Sequence, residues 1–442
     1  TGCLVGTVHF IKPNIAGKLM EQKRIKVLTL GDMPVSTSGV GNQTRYMVNA
    51  LLESGKFEVF SLGGAIKHPR YDLIKTNKWG DLWKILPVDK FGSKELVRSV
   101  IWKEKPDIVW IMTDPRFWGW LWEMDNEIRA NMPIVYYHVW DNYPYPKFNK
   151  KYYESNDVVV SISKLTNDVV KNVSPNVELH HIPHAVDTEI FKKLDDDLIK
   201  KLRKENKGHD GNNLDGRFVI LFNSRNARRK HSGTLIFWFK EFLEKVGKDK
   251  AVLLMHTEPT DPNGPDLMQI IEDLDLENGE VLFSREKIDE QKMATLYNLA
   301  DITVNISDAE GFGLSCLESL ACETPAIVHK TGGLQEQITD GKNEFGVGIE
   351  PSSRQVVGSQ LVPYVMEDRM SKSDFINALM KMYEMNEDDR AKLGSMGRKH
   401  VMKNYNFNNF NNDWAKLLEE VHNKHGSWDN RKSHKRWRSE QL

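Results

Sequence analysis

Two glutamates and a glycine turn have the types and spacing needed to bind a phosphate together with hydroxyl groups on either side of it. The stretch DAEGFGLSCLESLACETPAIVHKTGG contains Glu310, a Gly-Phe-Gly turn, and Glu318 eight positions after the first glutamate. A helix that begins after such a turn directs unpaired backbone amides at a docked anion. We therefore expect a ligand with a phosphate in the middle and hydroxyl groups at both ends.

Basic residues that could neutralise this phosphate follow a different apolar run. The run FVILFN leads to Arg225, and Lys230 comes five positions later. An arginine binds phosphate oxygens with a planar fork, whereas a lysine binds them as a point charge. Arg228 and Arg229 lie between them, and a solvated turn explains this second pair equally well.

Short apolar runs alternating with helical patterns must position these residues. ITVNIS is predicted as a buried strand before Glu310, and LSCLESLAC as a helix with its leucines on the buried face. Near the start, RIKVLTL, a glycine-containing turn and NQTRYMVNALLESG form a strand, turn and helix, with Gly39 and Gly41 at the junction. Further predicted strands are KFEVFSLGG, PDIVWIMTD, PIVYYHVWDN, DVVVSISK and AVLLMHTEP. This alternation predicts an α/β fold built from Rossmann-like units.

A histidine stands where the apolar run PIVYYHVWDN becomes a polar loop. Ligands bind beyond the carboxyl ends of the strands in sheets of this kind, so His138 is a candidate site residue. A histidine between aromatic residues is equally typical of a hydrogen-bonded core position. Asp141 follows three residues later, where it could orient the imidazole or contact an acceptor molecule. We expect Asn142 and Tyr143, in the same loop, to contact that acceptor.

Length and composition indicate a globular protein with two domains. A chain of 442 residues exceeds one ordinary domain, and its formal net charge of -1 does not favour a globally basic nucleic-acid binder. Cys3, Cys316 and Cys322 are too few for a disulfide framework, which indicates a reducing, cytoplasmic location. The longest apolar runs have the length of strands, so we expect no membrane-spanning segment.

Changes in composition predict the domain boundaries. Met20 precedes a plausible natural start, so we predict that residues 1–22 are an expression-derived or processed extension, with an authentic extra strand and loop as the alternative. The predicted parts are a first domain at 23–194, a charged linker at 195–216, a second domain at 217–371, amphipathic helices at 372–424 and a basic tail at 425–442. Within the linker, Asp195 to Asp197 favour a solvated helix start over a metal site.

The order of these motifs resembles a known family. A strand, Glu310, Gly-Phe-Gly, Glu318, the strand TPAIV and the turn Gly332-Gly333 together resemble the donor site of retaining, nucleotide-sugar-dependent glycosyltransferases of family four. The resemblance runs from about Lys23 to Lys424 and is densest between 217 and 350. It implies the GT-B architecture, in which two Rossmann-like domains face each other across a cleft and C-terminal helices cross back to the first domain. Two departures are His184-Ala185 in place of Asn-Gly, and Glu323 in place of glycine.

The resemblance also implies roles for individual residues. Arg225 and Lys230 would bind the donor diphosphate, Glu310 the sugar hydroxyls, Glu318 the ribose, and His138 the sugar near the reacting carbon. The remaining donor contacts that it implies are Gly39, Gly41, Phe283, Arg285, Phe312, Gly313 and Leu314. The donor would be a nucleoside-diphosphate sugar. No Asp-x-Asp motif stands at the end of a predicted strand, so we expect no catalytic metal. No second carboxylate is clearly placed as a nucleophile, so we expect attack from the face of the leaving group.

Three questions stay open from sequence alone. The acceptor is a saccharide, a lipid or a hydroxylated base in DNA; the last is suggested by aromatic and basic residues in WDNYPYPKFNKKYY and RFWGWLW. A protein that binds nucleotide sugars without turnover is a further alternative. The basic tail is either solvated or in contact with an anionic acceptor, nucleic acid or membrane surface. A dehydrogenase is disfavoured because the dinucleotide GxGxxG motif is missing.

Overall fold

The computed structural model describes residues 23–205, 214–432 and 434. The predicted extension at 1–22 lies outside these residues. The strands of the first sheet are β1 (Ile25–Asp32), β2 (Phe57–Gly64), β3 (Ile74–Lys75), β4 (Trp83–Pro87), β5 (Ile108–Thr113), β6 (Ile134–His138), β7 (Val158–Ser161) and β8 (Leu179–His181). The helices of this domain are α1 (Gly39–Glu53), α2 (Lys94–Glu104), α3 (Pro115–Trp122), α4 (Asp125–Arg129), α5 (Lys150–Glu154) and α6 (Lys164–Val173).

The strand order of this first sheet is β3-β4-β2-β1-β5-β6-β7-β8. Its neighbouring strands are parallel except for the short edge pair β3 and β4. Central strands such as β5 are buried on both faces, which explains their continuous apolar sequences. The strand order reverses between β1 and β5, so the loops after these two strands border a crevice at the carboxyl edge of the sheet.

The second domain repeats this arrangement. After helix α7 (Asp196–Glu205), its strands are β9 (Phe218–Asn223), β10 (Ala251–His256), β11 (Val281–Ser284), β12 (Ile302–Asn305), β13 (Ala326–His329) and β14 (Gly346–Ile349). Its helices are α8 (Ser232–Val246), α9 (Leu267–Asp273), α10 (Glu290–Leu299), α11 (Leu314–Ala321) and α12 (Leu334–Gln337). The parallel order β11-β10-β9-β12-β13-β14 reverses between β9 and β12. That reversal places the loops carrying Lys230 and Glu310 side by side.

Part of the predicted linker is helical. Helix α7 occupies Asp196–Glu205, and the Asp195 carboxylate accepts hydrogen bonds from the amides of Asp197 and Leu198. This is the capping expected of a carboxylate at a helix start. Residues 206–213 lie outside the described part of the chain.

An antiparallel hairpin that was not predicted follows the second sheet. It consists of β15 (Ser353–Val357) and β16 (Val365–Arg369), and within the described chain it forms a separate two-stranded sheet. We call residues 353–369 the bridging hairpin, because its contacts reach both domains.

Three helices follow the hairpin: α13 (Lys372–Glu384), α14 (Glu387–Asn404) and α15 (Phe407–His425). The last of them, α15, packs on α1 of the first domain, whereas α13 packs on α8 and α14 on α11 of the second domain. The predicted return to the first domain therefore holds for α15 and not for the whole segment 372–424. Trp414 of α15 is fully buried, with ring centroids 5.7 Å from Trp110 and 4.8 Å from Tyr137. Within the described ranges, the helices lack the combination of length and apolar character that crossing a membrane requires.

The start of the predicted basic tail packs against the first domain rather than lying in solvent. The Ser427 hydroxyl donates to Asp107 at 2.6 Å, and the Trp428 indole donates to the Pro106 carbonyl at 2.9 Å. Arg431, with only 4% of its side chain exposed, pairs with Asp157 at 2.7 Å. These contacts hold residues 427–431 at the edge of the first sheet opposite the crevice. Residues 433 and 435–442 of the predicted tail lie outside the described residues.

Candidate active site

A cleft of about 670 Å³ lies between the carboxyl edges of the two parallel sheets. Residues of both domains line it, from the loops after β1, β5, β6, β9 and β12 and from the start of α11. The predicted site residues found there are Gly39, Asp141, Asn142, Lys230, Glu310, Phe312, Gly313, Leu314 and Glu318. The sequence motifs from the two halves of the chain therefore meet at one site.

An enclosed ion pair stands on the second-domain side of the cleft. The Lys230 ammonium contacts the Glu310 carboxylate, and 11% and 14% of these side chains are exposed. Arg229 lies 3.7 Å from the same carboxylate and also donates to the Ala309 carbonyl. Burial by itself would raise the pKa of Glu310, but Lys230 and Arg229 outweigh burial and hold that pKa below its usual value. Burial lowers the pKa of Lys230, and Glu310 opposes that effect. The carboxylate is therefore ionised beside two cations.

Helix α11 begins directly beside this ion pair. Gly313 precedes it with a φ of +91°, a left-handed conformation that glycine adopts without steric cost. The amides of the first turn of a helix have no partners within that helix, and here they belong to the cleft-lining residues Leu314 and Ser315. This arrangement can bind a phosphate between the helix start and Lys230.

Gly313→Ala is expected to destabilise the protein and to disrupt this turn. A Cβ atom at position 313 would lie 2.4 Å from Leu334 Cδ2, in addition to the penalty for a left-handed alanine. Together these effects predict a loss of about 3 kcal/mol in the free energy of unfolding, measured by urea denaturation. Gly55→Ala is the matched control, because Gly55 has a φ of +73° and no atom of the described residues within 4 Å of the added Cβ. Equal losses in both variants would show that the contact with Leu334 is unimportant.

Glu318, the second glutamate of the motif, is hydrogen-bonded to a buried tyrosine. Tyr297 donates to the Glu318 carboxylate at 2.7 Å, and Asn223 donates to the Tyr297 hydroxyl at 2.7 Å. Burial raises the pKa of Glu318 to about 7, and nearby Glu290 contributes in the same direction. Glu318 lines the cleft, where its carboxyl group can bond to a hydroxyl of a ligand.

The raised pKa of Glu318 predicts a pH-dependent stability. In the unfolded chain the pKa of this carboxyl has its ordinary value of 4.5, whereas in the folded protein burial raises that pKa to about 7. The stability that it provides is complete below pH 4.5 and is lost as the pH rises to 7. Over that interval the loss is on the order of 3 kcal/mol. The melting temperature of Glu318→Gln should therefore rise relative to that of the wild type between pH 5 and pH 8. Exposed Glu244→Gln is the control, and a pH-independent difference for Glu318→Gln would contradict the prediction.

The first-domain side of the cleft carries three carboxylates. Asp32 accepts from the Ser38 hydroxyl at 2.8 Å, and Asp114 pairs with Arg116 through Nε at 2.9 Å. Asp141 is the third, and burial raises the pKa of Asp32 and of Asp141. Carboxylate oxygens accept hydrogen bonds from hydroxyl groups, so this side can bind a polyhydroxylated molecule.

The two sides approach closely at glycines. A Cβ atom on Gly39 would lie 3.2 Å from Leu314 Cδ1, and one on Gly311 would lie 3.1 Å from the Val139 carbonyl oxygen. Larger side chains at these positions would separate the two domains. The absence of side chains at Gly39 and Gly311 thus allows the first-domain loops to reach the start of α11.

The bridging hairpin closes one end of the cleft against the first domain. The Met366 amide donates to the Tyr143 carbonyl at 2.5 Å, and the Asn142 side chain donates to the Met366 carbonyl at 3.0 Å. Val362 and Val365 line the cleft and pack in an apolar cluster with first-domain residues. The first-domain members of this cluster are Trp140, Tyr143, Phe148, Leu165 and Val169.

The same hairpin holds charged residues of the second domain. Glu367, which is 5% exposed, binds the Arg228 guanidinium through both carboxylate oxygens, with one distance of 3.0 Å. Arg369 donates to Glu367 at 3.1 Å and forms an ion pair with Asp308. Arg228 and Glu367 both line the cleft. The hairpin therefore fixes Arg228 at the cleft, although a solvated turn explained this arginine equally well from the sequence.

Arg225 does not lie in the cleft, contrary to its predicted role. Its guanidinium binds Asp261 through Nε at 2.6 Å and through a terminal nitrogen at 3.1 Å, and 65% of the side chain is exposed. A bidentate partner on the loop after β10 holds this arginine away from Glu310. Arg228 and Arg229 line the cleft in its place.

His138 is also outside the cleft. Its Nδ1 bonds to the Tyr136 hydroxyl at 2.7 Å and its Nε2 to the Tyr153 hydroxyl at 2.8 Å, and the residue is fully buried. Burial lowers the pKa of His138 to about 3. With both ring nitrogens engaged in the core, His138 has no free atom for a sugar, and the alternative of a hydrogen-bonded core histidine describes its position.

Four other predicted contacts lie outside the cleft lining. The Gly41 amide donates to Ser38 Oγ at 3.0 Å and so fixes the glycine loop from within α1. The Tyr143 hydroxyl donates to Asp168 at 3.3 Å. Phe283 and Arg285 lie at the end of edge strand β11, where Arg285 contacts the Met268 sulfur at 3.0 Å. These four residues do not line the cleft, and their contacts with a donor or acceptor stay predictions.

Several residues that line the cleft were not predicted from the sequence. They include Asp32, Asp114, Arg116, His184 and Glu367. Of these residues, only His184 is marked by a feature of the sequence, because it replaces the asparagine of the family's usual Asn-Gly at this position. The others follow strands or belong to the hairpin, and they match no motif that would have distinguished them from solvated residues.

Comparisons with known proteins agree with this geometry. Residues 204–400 match the sequence family described as Glycosyl transferases group 1. The chain is 25% identical over 235 residues to N-acetyl-alpha-D-glucosaminyl L-malate synthase of Bacillus anthracis, covering 52% of this chain and 56% of that protein. It is 25% identical over 265 residues to alpha-monoglucosyldiacylglycerol synthase of Streptococcus pneumoniae, covering 59% and 55%. The chain thus spans about half the length of these curated relatives.

Solved structures share the fold over nearly the whole chain. Sucrose-phosphate synthase from Thermosynechococcus elongatus has a TM-score of 0.71 at 16% identity, covering 91% of this chain and 100% of that one. The Anabaena protein HepE in complex with UDP and glucose has a TM-score of 0.64 at 16% identity, covering 90% and 100%. At such identities the likeness concerns the fold alone. Together, the fold and the family match show that this chain has the GT-B architecture and carries a group 1 glycosyl transferase domain at residues 204–400.

Proposed function

We propose that the protein is a retaining, metal-independent glycosyltransferase that moves a sugar from a nucleoside-diphosphate sugar to an acceptor hydroxyl. The observation that carries this proposal is the enclosed pair of Lys230 and Glu310 beside the start of α11. The donor class is supported by the UDP complex of the similarly folded HepE. The names of the relatives indicate products as different as a glucosaminyl malate and a glucosyl diacylglycerol, so we leave the acceptor open.

The cations stabilise charge on the leaving group. When the bond between the sugar's anomeric carbon and the phosphate oxygen breaks, its electron pair goes to that oxygen. Lys230, Arg229 and the first amides of α11 lie where they can bind the resulting diphosphate. These groups are fixed before the reaction, which makes a metal ion unnecessary for this charge.

Glu310 holds the sugar in the same step. Its ionised carboxylate accepts hydrogen bonds from sugar hydroxyls, while Glu318 binds the ribose. The acceptor oxygen attacks the anomeric carbon from the face that the diphosphate leaves, and the acceptor proton passes to the departing phosphate oxygen. Attack on that face retains the anomeric configuration.

A donor screen tests the proposal. UDP-, GDP- and ADP-sugars are added separately to the purified protein, and the donor that binds the folded state raises its melting temperature. The same donor should then be consumed, with the anomeric configuration of the product read by proton NMR. Failure of all three donor classes to bind would contradict the proposal. Binding without consumption, even as hydrolysis, would favour the non-catalytic alternative, and an inverted product would overturn the retaining mechanism.

A further inference from the structure

His184 stands in the cleft where the family resemblance predicts asparagine. It follows β8, lines the cleft and is 4% exposed. Its ring packs against Phe312 of the glycine turn, with ring centroids 5.0 Å apart. The histidine therefore lies between the first-domain core and the turn that carries Glu310.

The hydrogen bonds around Tyr137 fix the position of the His184 proton. The Tyr137 hydroxyl has one proton, and it donates that proton to the Ile182 carbonyl at 2.8 Å, because a carbonyl can only accept. The same hydroxyl oxygen lies 2.8 Å from His184 Nδ1. Having given its proton to Ile182, the oxygen must accept from Nδ1, so Nδ1 carries the hydrogen.

The other ring nitrogen of His184 is not used by the described part of the protein. Among the described residues, His184 Nε2 has no hydrogen-bond partner, whereas Nδ1 bonds to Tyr137. Because His184 lines the cleft, Nε2 is the ring nitrogen that remains for a ligand there. Burial lowers the pKa of His184 to about 3, so the ring is neutral at physiological pH. In the Nδ1-protonated neutral form, Nε2 has a lone pair and acts only as an acceptor.

We propose that His184 Nε2 accepts a hydrogen bond from a hydroxyl group of the nucleotide sugar, with Tyr137 holding the ring in the required tautomer. This inference rests on the proposed function, since it assigns a substrate contact in the same cleft. The two histidines differ in their hydrogen bonds. Both ring nitrogens of His138 bond to tyrosine hydroxyls, whereas among the described residues only Nδ1 of His184 has such a partner.

Two substitutions separate a substrate contact from a structural role. His184→Gln can place an amide oxygen near the former Nε2 but cannot keep the bond from Nδ1 to Tyr137. His184→Asn can keep a donor near Nδ1 but leaves nothing at Nε2. With the donor chosen by the thermal screen, kcat/KM for donor consumption should fall at least about 10-fold in His184→Asn and by less than about 3-fold in His184→Gln. Equal losses, or a larger loss in His184→Gln, would overturn the proposal.

The tautomer can be read in the wild-type protein without any turnover. Long-range proton–nitrogen NMR of the ¹⁵N-histidine-labelled protein, with the His184 signals assigned by their absence in His184→Gln, should show hydrogen on Nδ1 and none on Nε2. Adding UDP-glucose, GDP-mannose or ADP-glucose, whichever raises the melting temperature, should shift the Nε2 signal and leave Nδ1 protonated. A hydrogen on Nε2, or an unchanged Nε2 signal with a bound donor, would overturn the proposal. If none of the three binds, the proposed function fails separately, and the tautomer still tests the proton assignment.

Discussion

Lys230→Ala is expected to lower the rate of donor consumption by about 1,000-fold. Removing one fixed group that stabilises developing negative charge costs on the order of 100- to 1,000-fold, and Lys230 supplies a full positive charge. Its ammonium is enclosed beside Glu310, where water screens the charge poorly. The measurement is the single-turnover rate with the donor found by thermal screening. The donor should also give little thermal shift in this variant, because the main cation for its diphosphate is missing.

A double substitution separates lost chemistry from lost folding. Lys230→Ala leaves the Glu310 carboxylate with Arg229 at 3.7 Å as its remaining cationic partner among the described residues, so this variant should also lose stability. Lys230→Ala with Glu310→Gln removes both charges, and it should regain stability without regaining activity. Lys245→Ala, on the outer part of α8, is the control for a lysine outside the cleft. Turnover near the wild-type rate in folded Lys230→Ala would refute the assigned role.

The fold could be predicted because its strands follow local rules. Strands such as β5 and β6 are buried on both faces, and they therefore appear in the sequence as continuous apolar runs followed by turns. The glycine turn before α11 was also predictable, since Gly313 has a conformation that few other residues adopt. Strand order then brings the loops after β9 and β12 together, so Lys230 and Glu310 meet although 80 positions separate them.

The choice among neighbouring cations could not be predicted in this way. Arg225 and Lys230 fit the family spacing equally well, but Arg225 pairs with Asp261, which comes 36 positions later on another loop. Nothing near Arg225 in the sequence indicates that partner. His138 likewise depends on Tyr153, which lies 15 positions away and engages its second nitrogen. Side-chain partners from distant elements decide these outcomes, and periodicity carries no information about them.

The bridging hairpin escaped prediction for a related reason. Its two strands pair with each other in a separate sheet of the described chain, and its apolar residues pack against a loop of the other domain. Leu361 near its tip is 77% exposed, so the segment lacks the buried pattern of a core strand. The position of Glu367 at the cleft follows from these interdomain contacts and not from a local motif.

Four of the aromatic residues that suggested a DNA acceptor are part of the core. Trp118, Trp122 and Tyr153 are at most 5% exposed, and Trp140 belongs to the apolar cluster beneath the hairpin. Buried rings cannot stack on an unstacked base. Packing therefore explains these four rings, whereas Phe117 and Tyr145 are exposed. A DNA acceptor stays a prediction, and salt-dependent binding of DNA by the purified protein would test it.

Glu310→Gln is expected to lower turnover by about 100- to 1,000-fold without weakening donor binding. The glutamine amide has nearly the same shape as the carboxylate but carries no charge. Hydrogen bonds from sugar hydroxyls to a charged carboxylate are about twice as strong as those to a neutral group. The sugar would then be held less firmly at the reacting carbon, which affects the rate of the chemical step. Single-turnover rates at saturating donor measure this effect separately from binding, with Glu244→Gln as the exposed control.

Donor binding distinguishes this variant from Lys230→Ala. Without the Glu310 charge, the enclosed Lys230 ammonium lacks its carboxylate partner, so the free variant should be less stable than the wild type. A bound diphosphate supplies a new negative partner for that ammonium. The donor should therefore raise the melting temperature of Glu310→Gln by more than it raises that of the wild type, whereas Lys230→Ala should show little shift. Equal donor shifts in all three proteins would mean that the diphosphate does not bind between Lys230 and the start of α11, and the proposed chemistry would lose its physical basis.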